Sequence, residues 1–376
     1  MIVSQFGVES WMDQYEEGAK YNITDTCAKP LSLAELFSLA GEDRTDFMDR
    51  FFEREQTYGT IFGSEKVKKE ISRLYTSIRP EEILTEHGAT GGNQHIFFSL
   101  IRPGDRVIAF SPSYQQFYSA PEALGAEVTV LRLRRENGYL PDLDELSQAA
   151  ARGVRMICLN NPNNPTGTLI PSDMLKDIVT IARQSGAYLF CDEVYSGVSI
   201  DGALALSVCD LYEKGIATGS MSKAFSLAGL RLGWLATHDR QALAQFRRVR
   251  DYDLVSCGLF DEEIAALALA HKEKILARNR AILAANLPIL DAWVKGEPHV
   301  SYVRPTAGTM ALVHYDLPIG SRDFCRRMYE ETGAFCVPGD CFDEPFSFRV
   351  GYGHEADVLR EGLDAVSEFI RRVTGE

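Results

Sequence analysis

Positive charge is scarce in this chain. Its 39 Lys and Arg residues face 53 Asp and Glu, for a formal net charge of −14. Nucleic-acid binders usually show a basic stripe, and docking on anionic lipid needs a basic patch. The acidic balance argues against both and fits plain solubility. The eight cysteines (Cys27, Cys158, Cys191, Cys209, Cys257, Cys325, Cys336 and Cys341) include no C-x-x-C pair, so no zinc-site spacing is present. Several sit inside apolar runs such as Met156-Ile157-Cys158-Leu159, the setting of buried free thiols in a reducing cytoplasm. No apolar run is long enough to span a bilayer. The opening Met1-Ile2-Val3-Ser4-Gln5, soon followed by Glu9 and Asp13, lacks the basic region and apolar core of a signal peptide. Repeats, low-complexity segments and a Pro/Gly/Ser-rich linker are also missing. At 376 residues the chain nevertheless exceeds the usual single-core size, which predicts one large domain and one smaller.

The middle of the chain alternates short apolar runs with helical patterns. Val107–Phe110, Val128–Leu131, Met156–Leu159 and Tyr188–Cys191 read as strands, nearly continuous in apolar character, as parallel strands buried on both faces are. A helix is expected over Ser172–Gln184, with Leu175, Ile178, Val179 and Ala182 forming one apolar stripe. Ser172 is placed to cap its start and Gly186 to end it. This rhythm predicts an α/β fold with a mainly parallel central sheet flanked by helices. The C-terminal part reads differently. Helical patterns through Glu262–Val294, short strands near Val303, Met310–Val313 and Phe346–Val350, and a last amphipathic helix from Glu355 to Val373 predict a smaller α+β domain. The expected division is 1–50 joining the small domain, 51–270 forming the large one, and 271–376 forming the small one.

Ligands of parallel sheets bind at the carboxyl ends of the strands, so the residues just after each apolar run matter most. Lys223 lies in Thr218-Gly219-Ser220-Met221-Ser222-Lys223, ahead of Gly229-Leu230-Arg231-Leu232-Gly233. A lysine among small residues can approach a flat ring closely, and desolvation or nearby positive charge would lower its pKa toward a nucleophilic form. Ser220, Ser222 and Arg231 can donate to a phosphate. Taken alone, Lys223 reads better as a surface lysine in a serine-rich loop. Asp192 sits where the Tyr188–Cys191 strand ends and can pair with a protonated ring nitrogen, keeping the ring electron-poor. Tyr195 can reach an oxygen of the same ring; its bland alternative is a core tyrosine. Asn161-Pro162-Asn163-Asn164-Pro165-Thr166-Gly167 is a rigid turn that offers Asn164. Gly88-Ala89-Thr90-Gly91-Gly92-Asn93 opens a helical pattern from Gln94 to Leu100, a setting that offers backbone N–H groups to a phosphate. Tyr114 follows the Val107–Phe110 strand and can stack on a ring.

Together these motifs resemble the class I/II aminotransferases, the fold-type-I enzymes that use pyridoxal 5'-phosphate. Ser220–Gly233 matches S-x-S-K-x-x-x-L-x-G-L-R-x-G, and the N-P-x-N-P-T-G turn and D-E-x-Y segment follow in the family's order. The resemblance runs from about Tyr58 to Arg349. It implies that Lys223 holds the cofactor as a Schiff base and moves the substrate's α-proton, with Asp192 and Tyr195 as further catalytic residues. Asp192 would hold the ring nitrogen, Asn164 and Tyr195 the ring oxygen, and Tyr114 a ring face. Ala89, Thr90, Ser220, Ser222 and Arg231 would bind the phosphate. Tyr58 would reach the phosphate of a partner subunit, which implies a homodimer with shared active sites. Arg349, in Phe346-Ser347-Phe348-Arg349-Val350, would grip the substrate carboxylate, with both Phe on the opposite face of a strand. Substrates would be an L-amino acid and a 2-oxo acid, acted on in the cytoplasm.

The stretch Asn22–Ala28 departs from the family: Thr26 and Cys27 stand roughly where a substrate-facing glycine is common, which makes Thr26 a substrate-side candidate beside Asn164. Val8-Glu9-Ser10-Trp11-Met12 resembles the start of capreomycidine-synthase-like cyclases, which act on a hydroxylated guanidino amino acid. Glu9 or Asp25 would then bind a guanidinium. The alternative is a helix that docks Trp11 on the core and leaves Glu9 in solvent. Two reaction end points stay open, transamination and elimination or cyclisation. A cofactor-sensing regulator, which needs a DNA-binding domain ahead of this one, is disfavoured because the residues before Tyr58 show no basic helix-turn-helix pattern.

Overall fold

The computed structural model describes residues 2–200 and 205–375; Met1 and Glu376, the outer limits of the 1–50 and 271–376 portions, lie outside them. In chain order the strands are β1 (Tyr21–Asn22), β2 (Ile83–His87), β3 (Arg106–Ser111), β4 (Glu127–Arg132), β5 (Met156–Asn160), β6 (Tyr188–Asp192), β7 (Gly215–Ser220), β8 (Leu232–Thr237), β9 (Val300–Tyr302), β10 (Met310–Tyr315), β11 (Ala334–Phe335), β12 (Val337–Pro338) and β13 (Ser347–Gly351). A seven-stranded sheet has the order β2-β8-β7-β6-β5-β3-β4. Its pairs from β7 through β4 are parallel, while β8 runs against both neighbours.

Period-2 alternation sends successive side chains to opposite faces, and both faces are covered. Val107, Ala109, Met156, Cys158 and Phe190 pack into one apolar cluster with Phe97 and Phe246. Ile108, Phe110, Ile157, Leu159 and Leu189 pack into another with Leu175 and Ile178. Burial on both faces explains why these strands read as unbroken apolar runs. β4 is the exception: it is the edge strand, and Glu127 and Val130 are exposed. Its sequence matched its neighbours, but with one flank unpaired it is not enclosed as expected.

The helix between β5 and β6 spans Ser172–Ser185 and buries Leu175, Ile178, Val179 and Ala182, with Gly186 left-handed at its end. Ser172 does not cap it; Pro171 holds that position without a side-chain bond, and Ser172 is the first helical residue. The helix after β2 begins at Gly88 rather than near Gln94, so the glycine-rich stretch forms its first turns.

β12, β13, β10 and β9 form a second, antiparallel sheet, with helices Lys272–Gly296, Ser321–Thr332 and Ala356–Thr374 around it. β1 pairs in parallel with β11 in a separate two-stranded sheet. β13 presents Arg349 to one side and Phe348 to the core, but Phe346 falls outside the strand with φ +57 and is 48% exposed. Only one of the two Phe residues therefore obeys the expected alternation.

Candidate active site

The carboxyl ends of β2, β3, β5, β6 and β7 converge on a cavity of about 290 Å³. Lys223, Asp192, Tyr195, Asn164, Tyr114, Ala89, Thr90, Ser220, Ser222, Arg231, Arg349 and Thr26 all line it. Tyr58 does not. It is 80% exposed, outside the cavity of its own chain.

Register builds the floor. Asn160 of β5, Asp192 of β6 and Thr218 of β7 stand side by side. Asp192 Oδ2 accepts from Asn93 Nδ2 at 3.1 Å and Oδ1 accepts from Val194 N at 3.1 Å. Thr218 Oγ1 fixes Asn93 from the other side at 2.8 Å. Burial pushes Asp192 up to about 6, against the pull of these donors and of Lys223. A buried carboxylate of this kind is stabilised by a cation brought to it. Asn93 ends the glycine-rich motif that offers backbone N–H groups, yet it acts here through its side chain.

Lys223 Nζ donates to Thr26 Oγ1 at 2.7 Å and lies 3.7 Å from Cys27 Sγ. Thr26 also hydrogen-bonds the buried Tyr195 hydroxyl. Burial acts to lower the Lys223 pKa, as expected, but the fields of Tyr195, Cys27 and Asp25 outweigh it and raise the pKa. The free amine therefore lacks the lowered pKa expected from its sequence setting. Asp25 is the neighbour that expectation did not weigh. Burial works to raise its own pKa, but His354 (Nε2 to Oδ2, 3.0 Å), the Cys27 N–H (2.8 Å) and Lys223 hold it well below the carboxylate range. His354 carries no motif and could not have been singled out.

At the other end, the Gly88–Leu100 helix starts without a side-chain cap, which leaves its first N–H groups for a ligand. Gly233 keeps β8 against that helix start: a Cβ there would lie 2.4 Å from the Gly88 carbonyl carbon and 2.6 Å from Ala89 N. Arg231 donates to Ser222 Oγ at 3.4 Å and to Ala228 O at 3.0 Å. This set suits a phosphate dianion. Tyr114 lies between Phe6 and Phe117, with ring centroids at 5.0 and 5.7 Å.

Arg349 is 3% exposed. Its Nη1 donates to Asn164 Oδ1 at 3.2 Å, while its Nε has no partner. An unpaired buried donor of a guanidinium is costly unless an anion meets it. Asn164 is held in turn through its backbone N–H by Asn160 Oδ1 at 2.8 Å. Gly167 closes this turn at φ +67, where a Cβ would lie 2.5 Å from Met310 O.

Residues 48–366 match the family model for aminotransferase class I and II. The crystal structure of a PLP-dependent aminotransferase from Streptococcus suis 89-1591 superposes with a TM-score of 0.95 at 43% identity, over 99% of each chain. Capreomycidine synthase from Streptomyces vinaceus is 26% identical, over 96% of this chain and 92% of its own. An aspartate aminotransferase from Sulfurisphaera tokodaii is 27% identical, over 83% of this chain and 81% of its own. The chain belongs to the class I and II aminotransferase family. It is a PLP-dependent transferase of fold-type-I architecture, with a half-buried lysine, a buried carboxylate and an uncapped helix start that fit that cofactor.

Proposed function

We propose that this protein is an aminotransferase that moves an amino group from an L-amino acid to a 2-oxo acid. The observation that carries the proposal is the convergence of Lys223, Asp192 and the half-satisfied Arg349 on one cavity. When bound, pyridoxal phosphate supplies an electron sink for the pair left by breaking the α-C–H bond. Lys223 is the attachment point for its carbonyl carbon and the base that takes the α-proton. Asp192 holds the ring nitrogen, Asn164 and Tyr195 the ring oxygen, and Tyr114 covers a ring face. Ala89, Thr90, Ser220, Ser222 and Arg231 hold the phosphate. Arg349 orients the substrate through its carboxylate, and Thr26 positions the Lys223 amine. Tyr58, exposed in its own chain, serves the phosphate end of a second copy, making a homodimer with shared sites. The portions 1–50 and 271–376 act as the small domain beside the large 51–270 domain. Eight buried, unpaired cysteines support a reducing, cytoplasmic setting.

A second reading is a lyase or cyclase acting on a hydroxylated, guanidino-type amino acid. Thr26 and Cys27 beside Lys223, together with the near full-length likeness to capreomycidine synthase, favour it. A donor screen separates the two by following cofactor absorbance and keto-acid release together. Transamination predicts near-stoichiometric bleaching and one keto acid per site with donor alone. Recovery of the absorbance with loss of water and no keto acid contradicts it.

A further inference from the structure

We propose that the cavity selects a substrate whose side chain carries a positive charge. The proposal rests on the pyridoxal-phosphate reading above but holds for either reaction end point.

Arg349 supplies one fixed point. Its buried, unpartnered Nε indicates an anionic group, which an amino acid offers as its α-carboxylate. The other cations lining the cavity among the described residues are Lys223 and Arg231. Lys223 is the attachment lysine, and Arg231 is bound to Ser222 and Ala228 at the phosphate end. The described chain therefore offers no spare cation to a second acidic group. Instead, two carboxylates line the same cavity, Glu9 and Asp25.

Asp25 is a fixed anion, pinned by His354 and the Cys27 N–H. Glu9 is positioned by a helix, Gly7–Tyr15, anchored on both sides of the cavity. At its start Gly7 N donates to Gln115 Oε1 at 2.8 Å, and at its middle Trp11 Nε1 donates to Cys336 O at 3.0 Å. Phe6 adds its contact with the Tyr114 ring. Trp11 is thus docked on the core while Glu9, two residues earlier and so on the other side of the helix, lines the cavity. The Glu9 carboxylate makes no hydrogen bond or ion pair among the described residues, and its field reaches Arg349 and Tyr114. A substrate held at Arg349 by its carboxylate meets this acidic wall with its side chain. An ammonium or guanidinium there gains a charge-assisted hydrogen bond; a second carboxylate meets like charge.

The test uses the cofactor-loaded enzyme and calorimetric binding of α-methyl amino acids, which lack the α-hydrogen and do not turn over. α-Methylornithine is expected to bind at least tenfold tighter than its neutral isostere α-methylnorleucine, and tighter still than α-methylglutamate. Glu9→Gln should cut the first ratio about fivefold or more, and Glu9→Asp should retain part of it. Because Glu9 is exposed, neither substitution disturbs the core. Equal or tighter binding of α-methylnorleucine or α-methylglutamate overturns the charge assignment alone. If no amino acid of any class binds or perturbs the cofactor absorbance, the enzymatic reading fails, and this inference with it.

Discussion

At the scale of single residues, Asp192 sets a pH limit on the site. Its pKa in the folded protein is raised to about 6 by burial, so it is protonated below that value and loses its attraction for a cationic ring nitrogen. Cofactor affinity should therefore fall with pH, by roughly tenfold per unit once below about pH 6. Asp192→Asn should bind the cofactor roughly 10- to 100-fold more weakly at neutral pH, the range of a lost charge-assisted hydrogen bond, and should lack this acid slope. A slope that persists in the variant would assign it to another group. Lys223, Asp192, Asn164 and Tyr114 were legible in sequence because each follows an apolar run and carries its own chemistry. Asn93 with Asp192, and Asp25 with His354, were not. These pairs are 99 and 329 positions apart, and only the packed chain brings them within hydrogen-bond reach.

Among the elements, the start of the Gly88–Leu100 helix is the proposed phosphate end of the site, and its place depends on Gly233, which lies outside the cavity lining. Gly233→Ala would drive a methyl into the Gly88 and Ala89 backbone. We expect a stability loss of about 1–3 kcal/mol, typical of overpacking, and at least a tenfold weaker cofactor dissociation constant. Thermal melting and absorbance titration measure the two. Unchanged affinity would show that the helix start does not carry the phosphate. Strand identity was legible from apolar runs, yet sheet order was not. β4 reads like β3 but lies at the edge, and the reversal of β8 is set by its neighbours β2 and β7. Local composition records burial, not which strand stands alongside. Ser172 shows the same limit, since a capping residue type one position inside the helix makes no cap.

For the whole molecule, Tyr58 is exposed in its own chain, and on the proposed reading it completes the site of a second copy. If Tyr58 serves a second copy, mixing Tyr58→Ala with Lys223→Ala chains should restore activity. Each mixed dimer then contains one site with both residues native and one with both replaced. The expected gain approaches half the native activity per mixed dimer, starting from two weakly active or inactive parents. No gain in mixtures shown to exchange subunits would place Tyr58 outside the site.

The central claim, that Lys223 carries the cofactor, is tested most directly by borohydride reduction of the loaded enzyme followed by peptide mapping. The account predicts a single cofactor-derived mass addition, on Lys223, lost in Lys223→Ala. Addition at any other lysine with Lys223 unmodified would contradict it.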